Sequence, residues 1–97
     1  MSSAPIRLSV TIVNTRGLHA RASSKFVKLA AQFESDITVE HSGMIVPGTS
    51  VMGLLTLGAG RGKKIFITCN GSDAEEASHA LSDLICRGFD EDDNDGT

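Results

Sequence analysis

The chain has 97 residues, of which 40% are hydrophobic and 22% charged, and its net charge is -3. These values fit one globular domain, and they exclude a second domain of ordinary size and disorder throughout the chain. Much of the acidic excess lies in residues 90–95. The remaining chain is only slightly basic, far from the charge expected of a dedicated nucleic-acid-binding protein.

Two further observations narrow the class of protein to which the chain can belong. No apolar stretch approaches the roughly 20 residues that span a bilayer, and the polar N-terminus does not resemble a signal peptide. Cys69 and Cys86 form no CxxC pair, which argues against a zinc site or a disulfide framework. We therefore expect a soluble cytoplasmic protein that neither inserts into membranes nor binds nucleic acid.

The first third of the chain predicts a strand followed by a helix. Leu8, Val10 and Ile12 recur with period two, which is typical of a half-buried strand. Turn-forming residues 14–17 follow, and from Ala20 the period becomes helical. The apolar stripe of this helix is Ala22, Phe26, Leu29, Ala30 and Phe33.

The middle of the chain predicts a β-hairpin. Ile37 and Val39 begin a second strand, and residues 44–46 form a third. The two residues Ser42 and Gly43 between them suit a tight turn, because a glycine accepts the positive φ that such a turn requires.

The last part predicts a short helix, a strand and a longer helix. Residues 50–57 form the short helix with Ser50 as its N-cap, and residues 64–69 alternate as the fourth strand. Ser72 and Glu75 match a capping box for a helix that ends near Gly88. The apolar stripe of that helix is Ala77, Ala80, Leu81, Leu84 and Ile85.

The element order is therefore β-α-β-β-α-β-α. This order predicts an α+β open-faced sandwich, with a four-stranded antiparallel sheet and three helices on one face. We expect one domain over residues 1–89 and a disordered acidic tail over residues 90–97.

The strongest functional signal is the segment GLHAR at residues 17–21, where a strand gives way to a helix. Unsatisfied N–H groups at a helix start bind anions, and their dipole disfavours a charged imidazole at His19. A neutral ring nitrogen could then act as a nucleophile, with Arg21 holding the added negative charge. The alternative is that His19 only caps the helix and that Arg21 is a solvated charge.

A second helix start gives weaker signals. Ser50 could accept a phosphate, but a simple N-cap is the commoner role for a serine there. Four apolar residues follow it within two helical turns, more than one buried stripe can use, and they are Val51, Met52, Leu54 and Leu55. They predict either a docking patch or a buried connecting helix.

The remaining candidates point to no further chemistry. His41 and His79 are not spaced as metal ligands with each other or with His19, and we predict both to be surface residues. The glycines at positions 58, 60 and 62 match no nucleotide-binding loop. We therefore predict no metal and no cofactor.

Two segments resemble the signatures of one family. The first signature is GLHARASSKFV at residues 17–27, which is similar to the active-site region of HPr, the histidine phosphocarrier of the bacterial phosphotransferase system. The second is GTSVMGLLTLG at residues 48–58, which is similar to the segment around the regulatory serine of that family. The resemblance extends over about residues 6–88, and the spacing of the two motifs agrees as well.

The resemblance implies a phosphoryl carrier more than an enzyme. His19 would be phosphorylated on Nδ1 by enzyme I, which draws on phosphoenolpyruvate, and would pass the group to a IIA-type domain. Arg21 would steady the phosphoryl group, and Ser50 matches the serine modified by HPr kinase/phosphorylase. The residues on the family's docking face are Ala20, Ser24, Val51, Met52 and Leu55. A monomer is the simplest expectation.

One departure concerns the branch of the family. Many sugar-branch members have proline directly after the active-site arginine, whereas this chain has Ala22, and Arg16 precedes the glycine. Both features resemble the nitrogen-related branch (NPr), or the single HPr-like carriers of some Gram-negative bacteria. A different class of function also fits the element order, namely a non-catalytic module that binds a regulator through its helix face.

Overall fold

The computed structural model describes residues 4–91. Its elements are β1 (Ile6–Thr11), α1 (Ala20–Ala30), β2 (Asp36–His41), β3 (Met44–Pro47), α2 (Val51–Leu57), β4 (Lys64–Asn70), α3 (Ala74–Cys86) and a final 3-10 helix (Gly88–Asp90). No helix within this part of the chain is long and apolar enough to cross a bilayer.

The four strands form one antiparallel sheet in the order β1-β4-β2-β3. Side chains alternate between its two faces, so that Ile65, Ile67 and Cys69 of β4 are buried while their neighbours are more exposed. The helices pack against the buried face and complete a core that includes Phe26, Leu54 and Leu81. The predicted open-faced α+β sandwich is therefore confirmed.

The hairpin turn between β2 and β3 has the predicted residues. Ser42 and Gly43 both have positive φ, at 52° and 82°. Two consecutive positive φ values define the type I′ turn, whose twist matches that of the strands it joins.

Two predicted boundaries differ from the structure. The α1 helix ends at Ala30, so Phe33 lies beyond it and is only partly buried. At the C-terminal end, Asp90 belongs to the 3-10 helix and Glu91 contacts other parts of the chain, although the sequence assigns both to a tail. The other residues of that predicted tail, 92–97, lie outside the described residues.

The predicted capping box at the start of α3 is wrong. The N-cap is Asp73, one residue after Ser72, and it makes no side-chain cap bond. The Asp73 carboxylate instead accepts hydrogen bonds from the backbone N–H groups of Glu34 and Ser35, at 2.8 and 3.0 Å, and from the Ser35 hydroxyl at 2.5 Å. These three donors, in the loop after α1, engage the carboxylate more fully than a helix cap would.

Asp73 is expected to make stability depend on pH in the acid range. The Ser35 hydroxyl and the Glu34 backbone N–H lower the pKa of this carboxyl in the folded state. The associated stability is present above the unfolded pKa of about 3.9 and is lost as pH falls through the lower folded pKa. We expect Asp73→Asn to melt a few degrees below the parent at pH 7. The difference in melting temperature should become smaller as the pH falls into the acid range.

The measurement is thermal unfolding from pH 7 into the acid range. Asp36→Asn provides the control, because it removes one carboxylate from an exposed site. A difference between Asp73→Asn and the parent that stays constant with pH would contradict this role.

Candidate functional site

His19 occupies the N-cap of α1, as one of its two interpretations predicted. Its backbone is extended, and the ring Nδ1 accepts a hydrogen bond from the Arg21 backbone N–H at 3.3 Å. The His19 carbonyl accepts the first helical bond, from the Ser23 N–H at 2.8 Å. The side chain is 21% exposed. The Nδ1 lone pair therefore lies at the positive end of the helix, where reactants can reach it.

The turn before His19 depends on Gly17. This residue has φ of +64°, a conformation that favours glycine. An added Cβ would lie 2.5 Å from the Ala59 carbonyl oxygen, because the loop after α2 passes directly over the turn. The next N–H, that of Leu18, donates to the same Ala59 oxygen at 3.1 Å. The turn is thus held by the neighbouring loop.

Arg21 lies two residues beyond the cap and is exposed. Within residues 4–91 its guanidinium makes no hydrogen bond or ion pair. A guanidinium in this state can turn toward an anion bound at the helix start.

The sequence interpretation missed two residues that contact His19 or its turn. The Nε2–H of His19 donates to Oε2 of Glu91. The Asn14 amide donates to the other Glu91 oxygen at 3.1 Å and to the Gly17 carbonyl at 2.9 Å. The sequence alone indicates Asn14 only as a turn former, and Glu91 only as part of the acidic run. The one feature of the sequence that indicates an ordered position for Glu91 is the aromatic Phe89 just before the acidic run, because a buried aromatic side chain would anchor that segment.

Ser50 is the N-cap of α2, as predicted. Its Oγ accepts the Gly53 backbone N–H at 2.9 Å. The side chain is half-buried. This geometry accommodates both a structural cap and a modifiable hydroxyl.

The predicted docking residues lie on two helices that pack against each other, α1 and α2. On α2, Leu54 and Leu57 are buried, whereas Met52 is 72% exposed and Leu55 is 36% exposed. The α2 helix is therefore not a fully buried connector, and it presents apolar surface to solvent. On α1, Ala20 is exposed and Ser24 is half-buried, and Val51 of α2 is half-buried as well.

The other histidines and the cysteines lie elsewhere. His41 Nδ1 lies 3.2 Å from the Lys64 carbonyl oxygen, and His79 is exposed. Among the described residues, no group of three or more His, Cys, Asp or Glu side chains could hold a metal ion. Both cysteines are free, and burial raises the pKa of the Cys69 thiol.

Sequence similarity identifies the family to which the chain belongs. A family model described as "PTS HPr component phosphorylation site" matches residues 6–87. The chain belongs to the HPr family. Phosphocarrier protein HPr of Neisseria meningitidis serogroup B is 45% identical over 80 residues, covering 82% of this chain and 90% of the relative.

Other members agree with this assignment. Phosphocarrier protein HPr of Cupriavidus necator is 40% identical over 86 residues, covering 89% of this chain and 97% of the relative. The crystal structure of HPr-C-His from Thermoanaerobacter tengcongensis superposes with a TM-score of 0.86 at 39% identity, covering 90% of this chain and 98% of that chain. This HPr-family chain is thus a phosphocarrier protein of the phosphotransferase system, and its partners belong to that system. The interaction-module alternative is not favoured.

Proposed function

We propose that His19 is the residue that carries the phosphoryl group. The observation that carries this proposal is the position of Nδ1 at the N-terminus of α1, beside the Arg21 backbone N–H. The Nδ1 lone pair would form the N–P bond as the bond from the donor to phosphorus breaks, and the donor would keep that electron pair. The N–H groups of the first turn would then hold phosphoryl oxygens.

Arg21 supports the phosphorylated state in this proposal. Its exposed guanidinium follows the cap by two residues and can pair with a phosphoryl oxygen. Enzyme I is the donor and a IIA-type domain is the acceptor. Each would dock on the exposed apolar surface of α2 and the adjoining start of α1, and the carrier would visit them in turn as a monomer.

The test is the intact mass after incubation with enzyme I and phosphoenolpyruvate. We expect one added phosphoryl group that is lost in acid. Trypsin separates the three histidines, because cleavage after Lys and Arg places them in peptides 17–21, 29–61 and 65–87. The phosphate is expected on peptide 17–21. Phosphate on either of the other peptides, or no added mass with an active enzyme I, would contradict the proposal.

The nitrogen-branch assignment stays a prediction that rests on Ala22 and Arg16. Enzyme I of the sugar branch and enzyme I of the nitrogen branch should be compared as donors at equal concentrations. Faster uptake from the nitrogen-branch donor supports the assignment, and faster uptake from the sugar-branch donor contradicts it.

Ser50 is proposed as a regulatory site for HPr kinase/phosphorylase. We expect Ser50→Asp to take up phosphate from enzyme I at least about tenfold more slowly, because a charge beside Met52 and Leu55 opposes burial of this surface in a complex. Aspartate is itself a good N-cap, so α2 should remain folded.

Ser50→Ala is the matched control. It removes the cap bond to Gly53 and lowers stability by about 1 kcal/mol, but it adds no charge. Uptake rates are measured by quenched-flow mass spectrometry. Equal slowing in the aspartate and alanine variants would assign the effect to the loss of the serine hydroxyl and not to the added charge, which would contradict this proposal.

A further inference from the structure

The segment after α3 is anchored beside the His19 ring. Phe89 is fully buried, and its carbonyl accepts a hydrogen bond from Lys25 Nζ at 2.7 Å. The Glu91 N–H donates to the Gly88 carbonyl at 3.0 Å and completes the 3-10 turn. These contacts place Glu91 beside the start of α1, where its side chain is only 12% exposed.

Both oxygens of the Glu91 carboxylate are engaged. Oε2 accepts from His19 Nε2, and Oε1 accepts from the Asn14 amide at 3.1 Å. The second hydrogen of the same amide goes to the Gly17 carbonyl at 2.9 Å. Asn14 is 2% exposed, so its amide is shielded from water. The hydrogen bonds of Asn14 and Glu91 join the turn before His19, the ring of His19 and the C-terminal segment.

This arrangement selects one form of the imidazole. A carboxylate oxygen only accepts, so the contact requires the proton on Nε2. The Arg21 N–H only donates, so its bond to Nδ1 requires a lone pair there. Both neighbours therefore stabilise the tautomer in which Nδ1 is the nucleophile. A carboxylate that orients a functional histidine in this way usually affects its reactivity strongly.

We propose that Glu91 is a positioning residue for phosphoryl transfer. The inference rests on the proposed role of His19. When Nδ1 forms the N–P bond and the donor leaves with the electron pair of its bond to phosphorus, Nε2 keeps its proton. The ring becomes a cation beside the carboxylate of Glu91. In the transfer to the acceptor, the acceptor forms its bond to phosphorus as the N–P bond breaks, and the electron pair of the N–P bond stays on Nδ1. The His19 ring is then a neutral imidazole again, because the proton never left Nε2.

The test compares Glu91→Gln, Glu91→Ala and the control Asp90→Asn in the full chain. The control removes the same charge from the adjacent residue, whose carboxylate pairs with Arg87 and not with His19. Glutamine keeps the shape of Glu91 and removes its charge, whereas alanine removes both. Thermal unfolding of each variant checks that the domain remains folded.

Two readouts separate positioning from mere structural support. We expect the 15N spectrum of the parent to show a protonated Nε2 and an unprotonated Nδ1, with an imidazole N–H proton protected from exchange. That proton should be lost in Glu91→Ala and kept in Asp90→Asn. Phosphoryl uptake and donation should each slow about tenfold in Glu91→Gln, which matches the loss of one charge-assisted hydrogen bond.

The outcomes separate this inference from the assignment of His19. If the parent is phosphorylated on His19, but Glu91→Gln and Glu91→Ala keep parental rates and a protected imidazole proton, the role of Glu91 is wrong. If Asp90→Asn slows transfer as much as Glu91→Gln, the effect depends on the net charge of this segment and not on the contact with His19, and the inference is again overturned. If the parent carries no phosphate on His19, the proposed function itself fails.

Discussion

Replacing His19 by asparagine or alanine is expected to abolish phosphoryl uptake from enzyme I without unfolding the domain. Neither side chain has a nucleophilic nitrogen, so no phosphorylated mass should appear at any time point. Asparagine is a strong N-cap, and it should preserve the start of α1 after the Nδ1 bond to the Arg21 N–H is lost. In the alanine variant, loss of the cap bond should lower the free energy of unfolding by about 1 kcal/mol.

The controls are His41→Ala and His79→Ala, which remove the other two histidines. Both should take up one phosphoryl group at the parental rate, because neither side chain lies in the His19 site. Intact mass at alkaline pH, followed by acid treatment, provides the measurement. Acid-labile phosphate on His19→Asn would disprove the assignment of the carrier residue.

Gly17→Ala is expected to be among the most damaging single substitutions in the chain. The positive φ alone costs about 1–2 kcal/mol for a residue with a Cβ. The new atom would also lie 2.5 Å from the Ala59 oxygen and 2.8 Å from Gly60 Cα, and both are backbone atoms that cannot rotate away. The loop after α2 must then move and the Leu18 bond to Ala59 must break. We expect a total loss of about 3 kcal/mol or more.

Gly43→Ala is the matched control for backbone strain. Gly43 has φ of +82°, but nothing lies within 4 Å of the position that a Cβ would take. Its substitution should therefore show the cost of positive φ alone, about 1–2 kcal/mol. Denaturant unfolding of the two variants measures the difference. Equal losses at the two glycines would mean that the approach of Ala59 does not restrict position 17.

Local patterns predicted the regular elements well. The alternation in residues 64–69 identified β4, and helical spacing from Ala20 identified α1, because each pattern reflects burial on one face of a short element. The same reasoning overextended α1 to Phe33. The N–H groups of Gln32 and Phe33 instead form i to i−3 turn bonds, with Leu29 and Ala30, and a hydrophobic pattern does not distinguish such a turn from a continuing helix.

Contacts between distant segments limited the prediction elsewhere. The capping box at Ser72 and Glu75 obeyed a sound local rule, yet α3 begins one residue later. The reason lies in the loop after α1, whose Ser35 hydroxyl and N–H groups engage Asp73. Nothing near residue 73 in the sequence indicates those donors.

Local sequence patterns are sufficient to predict the strand and helix periods, the Ser42-Gly43 turn, the Ser50 cap and the placement of His19 at a helix start. All of these depend on residues within a few positions of one another. Two contacts at the site depend instead on tertiary packing: Glu91 meets the His19 ring 72 positions away, and Ala59 lies over Gly17. Those contacts follow from the burial of Phe89 and from the packing of the loop after α2. Core packing joins segments that no local pattern relates.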